Sequence, residues 1–486
     1  MKKIILSIAV LALVFSSCDD FLTKDPKQNQ SDELALATFS GIDEATAGNY
    51  INLRSGSWYG STFPVTFDVM CGNCAVGPIN TGRMRTEVIW NYNPNSTMGL
   101  WATAYNLILG CNRVLTAIEQ NEFTREATVT EQDINNVKAE NLFLRAMAYF
   151  DLVRVYAQPY GYIKAKGITG TEALGVPIIR EDDLSNRPAR NTVADVYEQL
   201  IIPDLEEAER LMDPSYVRSN GKDEKAVITT PVIQALMARV YQYHEDWQLA
   251  ADYATKVINN GRYRLLSGDN FVKMWDGSVS GNETIFKIYI AYGESSNDIG
   301  GLLTVPAYDG AQGYGDVRVS EDLLKLFDAN DVRYTGLISS NSEYQGYYWA
   351  KKYPGKDNSL NYNDVPIFRV SEMYLIRAEA LFNGAQVSGV SSDVIDLNRV
   401  ATSRGANSYQ EFSVENLFKE TRREFFLEGH IFFDMKRLQL SLTREDHSQI
   451  ENQNIEFPNY RWALPIPQHE ILNNKNVVQN PGYNVQ

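Results

Sequence analysis

The chain has 486 residues, with 45 basic and 61 acidic side chains and a formal net charge of −16. That balance, with no basic cluster anywhere, excludes a nucleic-acid binder, because sequence-independent binding to phosphates needs Lys and Arg to displace counterions; polyanionic substrates are disfavoured for the same reason. Hydrophobic content of 44% and aromatic content of 11%, with 28 tyrosines, supply a packed core and leave aromatics over for surfaces.

At the N-terminus, Lys2 and Lys3 precede an apolar stretch from Ile4 to Phe15, interrupted only by Ser7 and followed by Ser16, Ser17 and Cys18. This pattern reads as a secretory signal peptide over residues 1–17. It is too short for a membrane span, which takes about 20 residues. Small residues directly before a cysteine form a lipobox, so cleavage makes Cys18 the lipidated N-terminus, and several acyl chains on one residue anchor stably. Loss of Lys2 and Lys3 takes the net charge to −18. Residues 18–30, polar and opening with Asp19 and Asp20, read as a lipidated tether; residues 31–486 read as one domain.

Apolar residues then recur at helical spacing. Trp101, Tyr105, Ile108, Leu109, Asn112 and Leu115 define one face; Leu142, Leu144, Met147, Phe150, Val153 and Val155 belong to another helix, with Ala139, Ala146 and Ala148 between them. The clearest unit follows Thr229. Thr230 is expected to cap a helix that has Pro231 at its first position, and a turn at His244 to Asp246 leads into a second helix ending at Gly261. Ala235 and Ala238 allow close approach, so this hairpin is similar to a tetratricopeptide repeat. Other helix pairs can be drawn from Ser31 to Asn121, from Ile134 to Leu211 and from Arg369 onward. The predicted class is all-α, a helical repeat core carrying long loops.

Three loop stretches stand apart: Ser55 to Gly99, Ala291 to Gly315 and Ser339 to Asn363. Each mixes Gly, Asn or Pro with several Tyr or Trp. Loops this long inside a domain are functional or disordered, and their aromatic content argues against disorder. Cys71 and Cys74 in the first loop are expected to form a local disulfide, as suits an oxidising compartment, and Cys111 to be a buried helical thiol. His244, His430, His447 and His469 are scattered without metal-ligand spacing, so no metal and no cofactor is expected.

Glu420, Glu424, Glu428 and Asp434 offer carboxylates that a glycosidase would use as an acid and base pair. Yet Glu420 with Arg423, and Asp434 with Arg437, have the three-residue spacing of intrahelical ion pairs on two helices joined at Gly429. No nucleophile elbow, phosphate loop or histidine pair occurs. The residues therefore point away from an enzyme.

Taken together, SSCDDFL at Ser16 to Leu22, AENLFLRAMAYFDLVRVYAQPYG at Ala139 to Gly161, ALMARVYQYHEDWQLAADYATKVI at Ala235 to Ile258, ETIFKIYI at Glu283 to Ile290, FRVSEMYLIRAEALF at Phe368 to Phe382, ETRREFFLEGHIFFDMKRL at Glu420 to Leu438 and QNPGY at Gln479 to Tyr483 resemble the SusD-like (RagB/SusD) nutrient-binding lipoproteins of the Bacteroidetes type. The resemblance covers nearly the whole chain and implies an N-terminal half at about 31–265 and a C-terminal half at about 280–486 of the one domain. It implies a core of four tetratricopeptide-like helix pairs with an irregular region holding the ligand site. It also implies a lipid-anchored protein of the outer membrane, facing outward, that partners a TonB-dependent (SusC-like) transporter and delivers glycans to it. The alternative is a peptide-capturing or purely structural lid of such a transporter.

Sugar binding needs aromatic rings for the C–H faces of pyranoses and polar side chains for hydroxyls. Trp101, Trp247, Trp275, Trp349, Tyr353 and Trp462 lie on structural stretches and are read as core. For Trp58, Tyr59, Trp90, Tyr92, Tyr292, Tyr308 and Tyr314 a ligand-stacking role and a core role both stay open, and these seven are the candidate ligand-binding residues. The loops Ser55 to Gly99 and Ala291 to Gly315 are expected to converge beside the helical core.

Overall fold

The computed structural model describes residues 35–183, 185–218, 223–279, 282–293, 295–305, 313–446 and 451–483. The signal peptide, Cys18, the tether and Tyr308 lie outside them. Helices dominate and follow one another through a stack: α1 (Phe39–Asn49), α2 (Leu100–Gln120), α3 (Glu131–Tyr156), α4 (Ile202–Leu211), α5 (Thr230–His244), α6 (Trp247–Ile258), α7 (Val370–Phe382) and α8 (Asp393–Ser403). They pack as four pairs, α1/α2, α3/α4, α5/α6 and α7/α8, with each pair resting on the next. The all-α, tetratricopeptide-like core is as the periodicity predicts.

Local chemistry explains the helix starts. Thr130 and Asp133 form a reciprocal capping box at the head of α3. Helix α5 begins at Thr230, with Thr229 extended before it, so the boundary falls one residue earlier than expected; Pro231 occupies the first turn, where its missing N–H costs nothing. Helix α3 is buried on nearly every face, because α2, α4 and the loops pack around it. No helix among the described residues is long and apolar enough to cross a membrane.

Beyond the stack lie α9 (Val414–Phe425) and α10 (Ile431–Arg437), with Gly429 at φ 79° in the turn between them. Both expected pairs form, Glu420 with Arg423 and Asp434 with Arg437. The carboxylates are further committed. Glu424 accepts from Arg369 (2.6 Å) and Arg404 (2.7 Å), Glu420 from Arg333 (2.6 Å), and Glu428 from Arg369 (2.7 Å) and Lys352 (2.6 Å). Burial alone would raise the Glu424 carboxyl, but Arg404, Arg369 and Arg333 hold it well below the ordinary range. These acids are spent on a buried ion network that ties α9 to the ends of α7 and α8.

Short strands form β1 (Cys74–Val76), β2 (Thr284–Ile288), β3 (Val317–Val319), β4 (Ile338–Ser340), β5 (Tyr348–Ala350) and β6 (Val365–Arg369). Strands β2 and β6 pair antiparallel and lead into α7; the others make a four-stranded sheet in the order β1-β3-β5-β4.

The stretch Ser55 to Gly99 departs from its reading as an open loop. Phe63, Val65, Phe67, Val69 and Met70 are all buried, with Phe67 stacked 4.7 Å from Phe432 and Phe63 5.3 Å from Phe433. Polar and glycine residues around this apolar run masked a segment that forms part of the main core.

Candidate functional site

Strand β1 pairs with β3 in the register Cys74↔Val319, Ala75↔Arg318 and Val76↔Val317, which carries the tip of the first loop onto the end of the second. The pairing continues past the strand, where Gly77 N donates to Asp316 O at 2.7 Å. Asp316, itself buried, then gathers the turn at residues 80–83: Thr81 N donates to its Oδ1 at 2.7 Å and Arg83 Nη1 to its Oδ2 at 2.7 Å. Two glycines permit this approach. A Cβ on Gly77 would stand 2.3 Å from Gly315 O, and Gly315 itself has φ 62° and would press into Ile79.

The consequence is an exposed aromatic surface. Turning at Gly315 leaves Tyr314 38% exposed, with the Arg83 guanidinium 4.3 Å from its ring centroid. Strand β5 sets Trp349 beside the same turn, its Nε1 donating to Gly315 O at 3.4 Å. Buried Trp349 in turn contacts the rings of Tyr344 (5.9 Å) and Tyr347 (6.4 Å), and Tyr347 is 37% exposed.

Both exposed tyrosines are backed in the same way. Arg318 lies 5.0 Å from the Tyr347 ring and is held by both oxygens of Asp446, at 2.7 and 2.8 Å. Arg83 lies on Tyr314 and is held by Asp316. Each guanidinium is held by a carboxylate and each ring packs on a guanidinium, a contact worth about 0.5 to 1 kcal/mol at an exposed site, which favours one ring orientation before any ligand arrives. Such preorganisation lowers the ordering cost of binding. With Asn80, Thr81 and Arg83 beside Tyr314, the surface offers flat apolar faces next to hydrogen-bonding groups.

The structure distributes the seven candidate residues unequally. Trp58, Tyr59, Trp90 and Tyr92 are core residues, none more than 8% exposed, so of the two roles left open for them the structure shows the core one and they drop out as ligand-binding candidates. Trp58 Nε1 and the Tyr59 hydroxyl both donate to Asp151 Oδ2, at 2.8 and 2.7 Å. Trp90 Nε1 donates to Met70 O at 2.9 Å, and its ring meets Trp462 edge-on at 4.8 Å. Burial pushes the Tyr59 and Tyr92 phenols well above their ordinary range. Tyr292 is 67% exposed and pairs with Tyr362 at 4.9 Å, apart from Tyr314. The two loops do converge, at Gly77 to Arg83 and Tyr314 to Asp316.

Cys71 and Cys74 are free, buried thiols, not a disulfide, and burial raises both well above the usual thiol range. Hydrogen bonds stiffen this turn instead: Asn73 Nδ2 to Asp68 Oδ1 at 3.0 Å, Ser320 Oγ to Gly72 O at 2.7 Å and Ser320 N to Asn73 O at 3.1 Å.

Sequence reasoning missed Arg83, Tyr344 and Tyr347. Their signals were present: a polar Asn-Thr-Gly-Arg turn at 80–83, and the Gly-Tyr-Tyr-Trp run at 346–349.

A tetratricopeptide-like helical stack carrying an open aromatic surface on inserted loops defines the class of protein. A sequence profile described as the SusD family matches residues 333–483, and one described as starch-binding, associating with outer membrane, matches residues 20–242. A SusD-like protein of Formosa agariphila is 26% identical over 541 aligned positions, covering 99% of this chain and all 100% of the relative. A SusD superfamily protein from Bacteroides vulgatus superposes with a TM-score of 0.79 at 27% identity, over 92% of this chain and 99% of that one. The same fold, at TM-score 0.73 and 21% identity over 91% and 99% of the chains, occurs in surface glycan-binding protein A from Bacteroides thetaiotaomicron, solved in complex with laminarihexaose. This chain belongs to the SusD-like proteins.

Proposed function

We propose that this protein is a cell-surface, lipid-anchored binder that captures oligo- or polysaccharides and delivers them to a TonB-dependent outer-membrane transporter. The observation that carries the reading is the pair of Arg-backed, exposed tyrosines, Tyr314 and Tyr347, on a surface where two loops meet. Pyranose C–H faces stack on such rings, while ring hydroxyls bond to Asn80, Thr81 and the polar edge of Arg83. The family descriptor naming starch binding and outer-membrane association supports it, as does the laminarihexaose complex of a protein with the same fold. Anchoring rests on the lipobox at Cys18, and outward orientation on Asp19 and Asp20. A tethered binder with no membrane-crossing helix among its described residues cannot itself move a ligand inward, which supports a transporter partner. The reading is of a binding protein and assigns no catalysis, in keeping with carboxylates Glu420, Glu424, Glu428 and Asp434 being committed to ion pairs.

Affinity electrophoresis against a panel of neutral and charged polysaccharides tests the proposal. Retardation by at least one polysaccharide is expected, with loss of retardation in a Tyr314→Ala/Tyr347→Ala variant. Absence of retardation by every polysaccharide, together with binding of a peptide library, would replace it with the peptide-capturing reading.

A further inference from the structure

A cleft of about 830 Å³ opens elsewhere on the molecule and shares no lining residue with the Tyr314–Tyr347 surface. Its size lies within the range of roughly 300 to 1,000 Å³ that holds small ligands. The inner wall is already satisfied. Lys352 Nζ donates to Glu424 O (3.0 Å), Phe426 O (2.9 Å) and Glu428 Oε1 (2.6 Å), and the Tyr353 hydroxyl donates to Leu427 O (2.8 Å). Asp364 is likewise spent, accepting from Lys287 at 2.9 Å and from Ile290 N at 3.0 Å.

Trp275 is different. Its ring is braced by the Lys352 ammonium 4.6 Å from the centroid and by Tyr353 at 6.0 Å, but its indole Nε1 is buried and makes no hydrogen bond among the described residues. A buried donor without an acceptor is unfavourable, and native structures rarely keep one without a reason. At the mouth, Asp357 and Asn358 stand exposed on a turn that holds both in the left-handed region, φ 51° and 59°, as short polar side chains tolerate. The rim carries Tyr362, and against it leans Tyr292, 67% exposed and, among the described residues, without core contacts to explain it.

The groups on offer are thus an exposed carboxylate, an exposed amide and a pair of aromatic faces, while the Trp275 ring lines the wall and its N–H has no accessible surface. A sugar hydroxyl answers both polar ones, since it donates to the carboxylate and accepts from the amide. We propose that this cleft is a second binding site, for a short saccharide, in which Asp357 and Asn358 bond the hydroxyls, Tyr362 with Tyr292 provides the stacking surface and Trp275 lines the wall. The loop that begins at Tyr292 ends at Tyr314, so one insert serves both sites.

Labelling the seven tryptophans with 5-fluorotryptophan and recording fluorine NMR gives the test, the Trp275 signal being assigned by its absence in Trp275→Phe. The probes are laminarihexaose, maltohexaose, cellohexaose and N-acetylchitohexaose. At least one is expected to shift the Trp275 signal in the wild type and in Tyr314→Ala/Tyr347→Ala, with dissociation constants that agree within about twofold, the scatter of independent sites. Tyr362→Ala should weaken that binding roughly tenfold, by analogy with stacking on aromatic platforms, and Asn358→Ala by about fivefold, the worth of a hydrogen bond. No shift with any of the four, or a shift that disappears in the double variant, overturns the proposal. A shift that survives while electrophoretic retardation does not depend on Tyr314 and Tyr347 would sink the surface reading and leave the cleft standing.

Discussion

Trp58 separates the core from the proposed capture surface most sharply. It is fully buried, stacks on Tyr59 at 5.6 Å and donates to Asp151, a buried carboxylate that also pairs with Arg154. Trp58→Ala opens a cavity, and such truncations cost about 3 to 5 kcal/mol. It also removes one donor from a buried charge, worth about 1.5 to 3 kcal/mol in a hydrogen bond of that kind. The two overlap, so the expected loss is about 5 kcal/mol, a large share of the roughly 5 to 15 kcal/mol that holds a folded protein together. Tyr314→Ala removes a ring that is 38% exposed and packs on a surface arginine; its expected stability change is within about 0.5 kcal/mol, while ligand affinity falls roughly tenfold. Urea midpoints for both variants, with polysaccharide affinity measured at matched folded fraction, read the contrast. A Trp58→Ala protein with an unchanged midpoint and lost affinity would refute this division of roles.

Burial raises the Asp68 carboxyl to about 7, against donation from Leu427 N and Asn73. A carboxyl raised on folding favours the folded state below its unfolded value, near 4, and loses that advantage as pH climbs to about 7; the loss approaches roughly 4 kcal/mol. Urea midpoints should therefore fall from pH 4 to 7 more steeply in the wild type than in Asp68→Asn, and parallel slopes would contradict this. Glu424→Gln leaves Arg369 and Arg404 undercompensated in a buried site and should cost about 3 to 5 kcal/mol; a neutral effect on thermal unfolding would show the network to be replaceable. Cys71, Cys74 and Cys111 should resist iodoacetamide in the folded protein and all react in denaturant without reductant; a mass two units low, from a Cys71–Cys74 disulfide, would contradict that.

The helical stack was legible because its signals are local. Ala235 and Ala238 with Pro231 announce α5, and the charge spacing of Glu420 with Arg423 is satisfied within a single turn. The site was less legible because its aromatics are sorted by long-range packing. Trp58 and Trp90 sit among Gly, Ser and Asn, as Tyr314 does, yet Asp151 and Met70 draw the first two inward, while Gly315 turns Tyr314 out. Nothing in sequence spacing reports that Arg83 will meet Asp316. The Cys71–Cys74 spacing misled for a related reason, since Asp68 and Ser320 hold that turn by hydrogen bonds formed only in the fold.

The pairing of Thr81 with Asp316 joins residues 235 positions apart through strands of three residues each. Closing a loop of that length costs entropy that grows only slowly with length, but three-residue strands return little by themselves, so the helices between must already hold the two ends close. The surface around Tyr314 therefore depends on the whole stack, and any deletion within it that parts β1 from β3 should take the Asp316 turn with it.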